Sequence, residues 1–262
     1  MKPVRVLAIA GSDSGGGAGI QADIKTATAL GVYAMTAVTA ITAQDTTGVG
    51  AIVPVAPEVV REQIERCLTD IGADAIKTGM LGSADIVRTV AATLGERAEG
   101  IPLVVDPVLV ATSGAVLSED AALAAMKSDL FPLATLITPN LPEAERLCGF
   151  ALETPDDLAR AGRALLALGP RAVLVKGGHG GSETVTDLLF TPWFDPRAYI
   201  AKRVNTTSTH GTGCTLSTAI ACGLGQGLAL SDAVQRAHDF VQRAIRTAPG
   251  FGAGHGPINH LP

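Results

Sequence analysis

The chain alternates short apolar runs with segments in which apolar residues recur at helical spacing. The candidate buried strands are Val4–Ala10, Thr36–Thr42, Ala75–Lys77, Leu103–Asp106, Leu136–Thr138 and Val173–Lys176. The candidate helices are Gly19–Leu30, Glu58–Ile71, Ala84–Gly95, Glu119–Leu130, Pro155–Leu168, Gly213–Leu224 and Ser231–Thr247. Strands joined by helices of this length favour right-handed crossovers. The sequence therefore predicts an α/β fold with a mostly parallel central sheet covered by helices.

One stretch departs from this alternation. Thr184–Phe190 and Ala198–Arg203 flank a turn that contains Pro and Asp, a pattern typical of a hairpin. We expect this hairpin, near 184–203, at an edge of the sheet. Because no linker, charge block or repeat divides the chain, residues 1–262 are predicted to form a single domain.

Composition and charge exclude several classes of function. The formal net charge is −5 and the basic residues are scattered, without the basic stripe or aromatic platform of a nucleic-acid binder. The run Val4–Ala10 is too short for a signal peptide, and no apolar run reaches the ~18 residues of a membrane span. The four cysteines lack C-x-x-C spacing, which favours a reducing, cytoplasmic setting.

Polar and glycine-rich segments follow the ends of the predicted strands. They are Gly11–Gly19, Gln44–Asp45, Gly79–Met80, Asp106, Asn140–Glu143 and Lys176–Gly178. In an open parallel sheet, ligands bind outside the carboxyl ends of the strands. The sequence thus predicts that these segments surround one ligand site.

The segment Thr209–Thr215 is a glycine-rich turn that leads directly into an apolar helix. Glycines allow successive backbone N–H groups to converge on one point, and the helix start adds partial positive charge there. Such a turn can hold a phosphoryl group during its transfer. An ordinary glycine-containing helix entry explains the same residues equally well.

Cys214 lies at the start of that helix, where the pKa of a thiol tends to fall. It is a candidate to deprotonate a substrate hydroxyl or to hold it in line. The alternative is a small buried residue, as most free cysteines are.

Asn140 and Glu143 lie one helical turn apart after a predicted strand. Their oxygens suit Mg²⁺, often through water, but the same spacing is that of a helix capping box. Asp106 and Lys176 each end a buried strand, and both are candidates to face metal or phosphate.

The glycine loop after the first strand loosely fits a dinucleotide fingerprint at Gly17, Gly19 and Ala22. The match begins seven residues after Ala10 rather than in the tight first turn, which argues against a dehydrogenase. There is also no P-loop sequence. Asp23, which follows this loop, either faces the ligand cleft or interacts with its helix dipole.

The order of these motifs is more specific than any one of them. Along the chain lie Ala10–Asp23, Thr42–Asp45, Lys77–Leu81, Asp106–Val108, Thr138–Glu145, Val175–His179 and Asn205–Ser217. This order closely resembles the hydroxymethylpyrimidine/phosphomethylpyrimidine kinases of the ribokinase-like superfamily. The resemblance implies a three-layer α/β/α sandwich and a homodimer. It also implies ATP- and Mg²⁺-dependent phosphorylation of 4-amino-5-hydroxymethyl-2-methylpyrimidine and then of its monophosphate, in thiamine biosynthesis.

The resemblance also implies a role for each site residue. It assigns phosphoryl transfer to Gly211, Thr212, Gly213, Cys214 and Lys176, with Cys214 where most ribokinase-like enzymes carry Asp. It places the pyrimidine against Gly11, Asp23, Gln44, Met80 and Val108, and Gln44 would read the aminopyrimidine edge with its amide. It gives nucleotide binding to Asp106, Asn140, Lys176, Thr209 and His210, and the metal to Asp106 and Glu143.

Three other readings compete with this one. A pyridoxal kinase of the same cysteine-containing branch would phosphorylate a similar flat nitrogen ring that bears a hydroxymethyl group. A catalytically silent ligand-binding protein on this fold would carry a degraded magnesium or anion-hole motif, and neither motif is degraded. A dehydrogenase is the third, and the displaced glycine pattern disfavours it.

Overall fold

A computed structural model describes residues 2–109, 119–178 and 183–261. The strands are β1 (Arg5–Asp13), β2 (Tyr33–Gln44), β3 (Val49–Pro54), β4 (Ala75–Thr78), β5 (Leu103–Val105), β6 (Leu136–Ile137), β7 (Val173–Val175), β8 (Thr184–Phe190) and β9 (Arg197–Lys202). The helices are α1 (Gly19–Ala29), α2 (Pro57–Arg66), α3 (Ala84–Arg97), α4 (Asp120–Ala125), α5 (Leu141–Cys148), α6 (Pro155–Leu166), α7 (Thr212–Gly225) and α8 (Leu230–Arg246).

All nine strands form one sheet in the order β3-β2-β1-β4-β5-β6-β7-β8-β9. The six strands from β2 to β7 in this order pair in parallel. Strand β3 at one edge and the β8–β9 hairpin at the other are antiparallel. The predicted mostly parallel sheet with a hairpin at its edge is therefore confirmed.

Helices cover both faces of the sheet because alternate strand residues point to opposite sides. In β1, Leu7 belongs to the core beneath α2–α6, while Val6 belongs to the core beneath α1, α7 and α8. Ile76 and Ala75 divide in the same way in β4. The central strands are therefore buried on both faces, as expected of parallel strands between two helical layers.

The structure departs from the sequence-based elements in three places. Strand β3 was not predicted, because Gly50 and Pro54 interrupt its pattern and almost all of it is exposed. Strand β1 continues through Asp13, so the glycine loop begins later than its composition indicated. The helices expected at Glu58–Ile71 and Glu119–Leu130 each end in a π-helical turn, Cys67–Ile71 and Met126–Leu130.

The last residues close over the carboxyl edge of the sheet. The amide of His255 donates to the carbonyl of Thr46 at 2.8 Å, and Pro257 pairs with His210. Within this segment, His260 Nε2 lies 2.9 Å from the hydroxyl of Thr215, in the first turn of α7, and both residues are buried. None of the helices in the described ranges combines the length and hydropathy needed to cross a bilayer.

The His260–Thr215 contact predicts a pH dependence of folding stability. Burial lowers the pKa of His260 to about 4. Between pH 6.5 and pH 4 the His260 side chain is protonated in the unfolded chain but not in the folded chain. The free energy of unfolding therefore decreases as the pH is lowered through this range. In urea unfolding, His260→Gln should gain about 2 kcal/mol relative to the parent between pH 7.5 and pH 5. A constant difference between the two proteins over that range would contradict this.

Candidate active site

One cavity of about 690 Å³ lies along the carboxyl ends of the parallel strands. Its wall includes fourteen of the fifteen predicted site residues: Gly11, Gln44, Met80, Asp106, Val108, Asn140, Glu143, Lys176, Thr209, His210, Gly211, Thr212, Gly213 and Cys214. The volume is in the range that suits a nucleotide or a small cofactor. Of the predicted set, Asp23 lies outside this wall. His179, the last residue of the motif Val175–His179, falls outside the described residues.

Helix α7 begins at this cavity without a side-chain cap. Its N-cap, Gly211, has φ 85°, and a Cβ at this residue would lie 1.8 Å from the carbonyl oxygen of Gly17. Only glycine fits such a conformation and such a close approach. By contrast, Asn140 caps α5 with its side chain. The first N–H groups of α7 are therefore left facing a ligand-sized space, which favours the anion-hole reading over an ordinary helix entry.

A buried ion pair adjoins this helix start. Lys176 Nζ donates to Asp106 Oδ1 at 2.7 Å, and the hydroxyl of Thr138 donates to the same oxygen at 3.0 Å. A Cβ on Gly213 would lie 3.3 Å from both Asp106 Oδ2 and Lys176 Nζ. Burial opposes the charge on Lys176, but Asp106 and Glu143 raise its pKa. A cation thus lies directly beside the α7 amides.

Asn140 and Glu143 form the capping box that their spacing allowed. The amide of Asn140 donates to Glu143 Oε2 at 2.8 Å, and the amide of Glu143 donates to Asn140 Oδ1 at 2.9 Å. Burial raises the pKa of Glu143 to about 7. Both residues line the cavity and each side-chain oxygen set keeps further lone pairs, so capping does not prevent contact with a metal.

The oxygen donors in the cavity wall fit a magnesium ion that takes most of its ligands from substrate phosphates and water. Among the described residues, no three His, Cys, Asp or Glu side chains cluster as a metal site. Mg²⁺ commonly takes one or two carboxylates plus substrate phosphates and water. Asp106 and Glu143 supply that number of carboxylates in the cavity wall.

The thiol of Cys214 differs from the sequence-based expectation of a lowered pKa. Burial raises the pKa of Cys214 to about 11, although Lys77 and a hydrogen bond from the amide of Gly19 act in the opposite direction. Desolvation is the largest of these effects, because the thiol lies at the start of α7 against the start of α1. In this state the thiol is protonated at neutral pH, so it is better suited to hold a hydroxyl than to deprotonate it.

Asp23 and Lys77 form a fully buried ion pair beneath the cavity. Lys77 Nζ lies 2.9 and 3.0 Å from the two carboxylate oxygens of Asp23, and the hydroxyl of Thr218 on α7 donates to Asp23 at 2.6 Å. Burial opposes the charge on Lys77, but Asp23 raises its pKa, with Asp106 as a further negative partner. Asp23 thus connects α1, β4 and α7 rather than forming part of the cavity surface.

The predicted substrate side of the cavity combines apolar side chains with the amide of Gln44. The methyl group of Met80 would lie 2.5 Å from a Cβ on Gly11, so Met80 packs directly on the glycine backbone. Gln44 ends β2 at this wall, with its Oε1 3.3 Å from the hydroxyl of Thr42. Val108 also lines the cavity.

His210 lies on this substrate side. Its Nε2 is 2.8 Å from Asp13 Oδ2 and 3.4 Å from Gln44 Nε2. Sequence reasoning grouped His210 with the nucleotide residues and gave Asp13 and Lys77 no role. Lys77 continues an apolar strand, and a charge at such a position is the signal that could have identified it.

The Lys77–Asp23 pair predicts a large effect on stability. Lys77→Met leaves Asp23 as an unpaired buried charge, so unfolding free energy should fall by about 3–5 kcal/mol in urea titrations. Lys77→Met combined with Asp23→Leu removes both charges and should recover a substantial part of that loss. If the free energy of unfolding of Lys77→Met alone lies within about 1 kcal/mol of the parent value, the ion pair does not contribute this much to stability.

Comparisons with known proteins agree with this geometry. Residues 13–259 match the family model described as phosphomethylpyrimidine kinase. The chain is 49% identical to a hydroxymethylpyrimidine/phosphomethylpyrimidine kinase of Mycobacterium tuberculosis over 100% of this chain and 95% of that protein. It is 48% identical to the thiamine biosynthesis bifunctional protein ThiED of Geobacter sulfurreducens, covering 98% of this chain but only 52% of that protein.

A solved structure resembles the whole chain. The ADP complex of Bacillus subtilis pyridoxal kinase superposes with a TM-score of 0.91 at 36% identity, covering 99% of this chain and 98% of that one. The fold is thus that of a known small-molecule kinase. The family match and the M. tuberculosis relative span nearly the entire sequence. This chain belongs to the phosphomethylpyrimidine kinase family and is a kinase.

Proposed function

We propose that this kinase uses ATP and Mg²⁺ to phosphorylate 4-amino-5-hydroxymethyl-2-methylpyrimidine and then its monophosphate, in thiamine biosynthesis. The observation that carries the proposal is that one cavity contains both an anion-binding region and a wall suited to a small ring. The uncapped start of α7, the Lys176–Asp106 pair and the Gln44–Met80 wall all line it. The names of the full-length relatives support the same substrate class.

The phosphate chain of ATP would lie against Lys176 and the backbone amides of the Gly211–Cys214 loop. Phosphoryl transfer needs alignment and charge neutralisation more than covalent help from the protein. The amides are already oriented toward the cavity, so little reorganisation is needed when charge develops. Asp106 and Glu143 would hold Mg²⁺, which supplies further charge neutralisation on the phosphates when bound.

The adenine ring would lie between β8 and α8, where the cavity is lined by Val185, Val241 and Ile245. The side chains of His238 and Gln242 also line this part of the cavity. His238 Nε2 and Gln242 Oε1 are buried without a hydrogen-bond partner among the described residues. Gln242 Oε1 can accept a hydrogen bond, and His238 Nε2 can donate or accept one. Both atoms are thus candidates to pair with the edge of a nucleobase.

The pyrimidine would lie between Met80 and Val108, with Gln44 at its aminopyrimidine edge. Its hydroxymethyl group would then point toward Cys214, whose thiol would position the accepting oxygen in line with the γ-phosphoryl group. This role agrees with a raised thiol pKa, since a protonated thiol can still form a hydrogen bond with the hydroxyl.

Pyridoxal phosphorylation is the second candidate, and the close superposition on a pyridoxal kinase favours it. The deciding experiment measures ADP release with the pyrimidine alcohol, its monophosphate and pyridoxal offered separately. We expect kcat/KM to be highest for the pyrimidine alcohol, and the monophosphate to be a substrate as well. A higher kcat/KM for pyridoxal would replace the proposed function with the second candidate.

Cys214→Ala should retain nucleotide binding and lose most turnover, by about 100-fold or more if in-line positioning is lost. The measurement is ADP release at saturating substrates, paired with calorimetric titration of ATP. Cys222→Ala is the matched control, because Cys222 lies on the same helix and is buried away from the cavity. Turnover at the parent rate in Cys214→Ala would make Cys214 a packing residue.

We further propose that the kinase is a homodimer, with the β2–β3 edge as its contact surface. Ile41 and Val53 face each other across these strands and are 57% and 59% exposed. Light scattering after size exclusion should give twice the mass of one chain at micromolar concentration. Ile41→Ser with Val53→Ser should shift the protein toward monomer. A monomeric parent protein would refute the dimer, and an unshifted double variant would refute this surface.

A further inference from the structure

Two buried side chains that are distant in sequence meet at the substrate wall, where neither has yet been given a role in binding the acceptor substrate. Asp13 ends β1, and His210 immediately precedes the N-cap of α7. Asp13 Oδ2 and His210 Nε2 are 2.8 Å apart, and the side chains of Asp13 and His210 are only 3% and 9% exposed. Such burial of two polar groups is expected only when they are paired.

Asp13 holds the glycine loop in place. Its Oδ1 accepts from the amide of Gly15 at 2.8 Å, and its Oδ2 accepts from the amides of Gly17 and Ala18 at 3.0 and 2.8 Å. Burial opposes its charge, but the bonds from His210 and from these amides lower the pKa of Asp13. Asp13 is therefore an ionised acceptor, and the His210 nitrogen that faces it donates.

His210 makes two further contacts, one through its ring and one through its backbone. A Cβ on Gly17 would lie 2.5 Å from His210 Cδ2, so the ring packs directly on the glycine loop. The backbone amide of His210 donates to the carbonyl of Gly256 at 3.1 Å. These contacts fix the backbone of His210 and restrict its ring on the side of Gly17.

The carboxamide of Gln44 lies between this ring and Thr42. Its Nε2 is 3.4 Å from His210 Nε2, and because that nitrogen already donates to Asp13 this is a packing contact, not a hydrogen bond. Its Oε1 accepts from the hydroxyl of Thr42 at 3.3 Å. A free glutamine side chain loses rotamer entropy when it binds a ligand. An amide already confined between two fixed groups loses less, which raises affinity through preorganisation.

We propose that Asp13 and His210 are a positioning pair, in which Asp13 fixes the His210 ring and the ring confines the Gln44 carboxamide by packing, so that the amide meets the edge of a flat nitrogen ring. This inference rests on the proposed function and refines it, because it moves His210 from the nucleotide site to recognition of the acceptor substrate. The pair acts through Gln44 and does not contact the transferred phosphoryl group.

The test is a double-mutant cycle between His210 and Gln44, with KM measured separately for the ring substrate and for ATP. His210→Leu keeps volume against Gly17 but removes the donor, and it should raise the ring KM about tenfold while the ATP KM changes less than about twofold. His210→Gln can present an amide N–H to Asp13 and should recover most of the loss. In a Gln44→Ala background, His210→Leu should have little further effect, because coupled residues are not additive.

Additive effects in the cycle, or an equal rise in the ATP KM, would overturn the proposal. Thermal melting identifies variants that fail to fold, and His210→Asn replaces His210→Leu in the cycle if the latter does. The parent's preferred ring is used throughout. A parent that prefers pyridoxal therefore refutes the proposed function while the cycle still decides whether the pair acts through Gln44.

Discussion

The contact between the backbones of Gly17 and Gly211 is the constraint on which the site depends. No side chain fits at Gly211, because a Cβ there would overlap the Gly17 carbonyl and the residue needs a positive φ. This contact brings the starts of α1 and α7 together at the carboxyl edge of the sheet. Neither helix start carries a side-chain cap. Their partial positive charges are thus concentrated at one end of the cavity.

Buried ion pairs and hydrogen-bonded pairs hold that edge in place. Lys77 pairs with Asp23 below the cavity, Lys176 pairs with Asp106 in its wall, and His210 pairs with Asp13 at the substrate side. Each pair joins elements that are distant in sequence. Because Lys77 and Lys176 each have a carboxylate partner, their buried charges are largely balanced before a ligand binds. This arrangement explains how a chain with net charge −5 can offer an anion site.

Much of the fold was predictable because parallel strands buried on both faces give continuous apolar runs. The hairpin strand Thr184–Phe190 was predicted with the bounds that the structure has. Strand β3 could not be predicted, since an exposed edge strand with Gly50 and Pro54 lacks a hydrophobic period. The π-helical turns after α2 and α4 were also missed, because the apolar spacing continues through them.

The site was partly predictable for a different reason. Glycine-rich and polar segments after strand ends identify the cavity wall whatever their partners are. Which partners meet across the chain is a tertiary property, and so the roles of Asp13 and Lys77 did not follow from the sequence. The raised pKa of Cys214 is likewise tertiary, because the sequence places the thiol at a helix start but does not reveal its desolvation.

The central claim is that backbone amides at the start of α7 receive the transferred phosphoryl group beside the Cys214 thiol. A crystal structure with a non-hydrolysable ATP analogue and the pyrimidine alcohol tests it most directly. The account predicts the terminal phosphate within hydrogen-bonding distance of the 211–214 amides, with the substrate hydroxyl against Cys214 Sγ. A terminal phosphate directed away from that loop would contradict it.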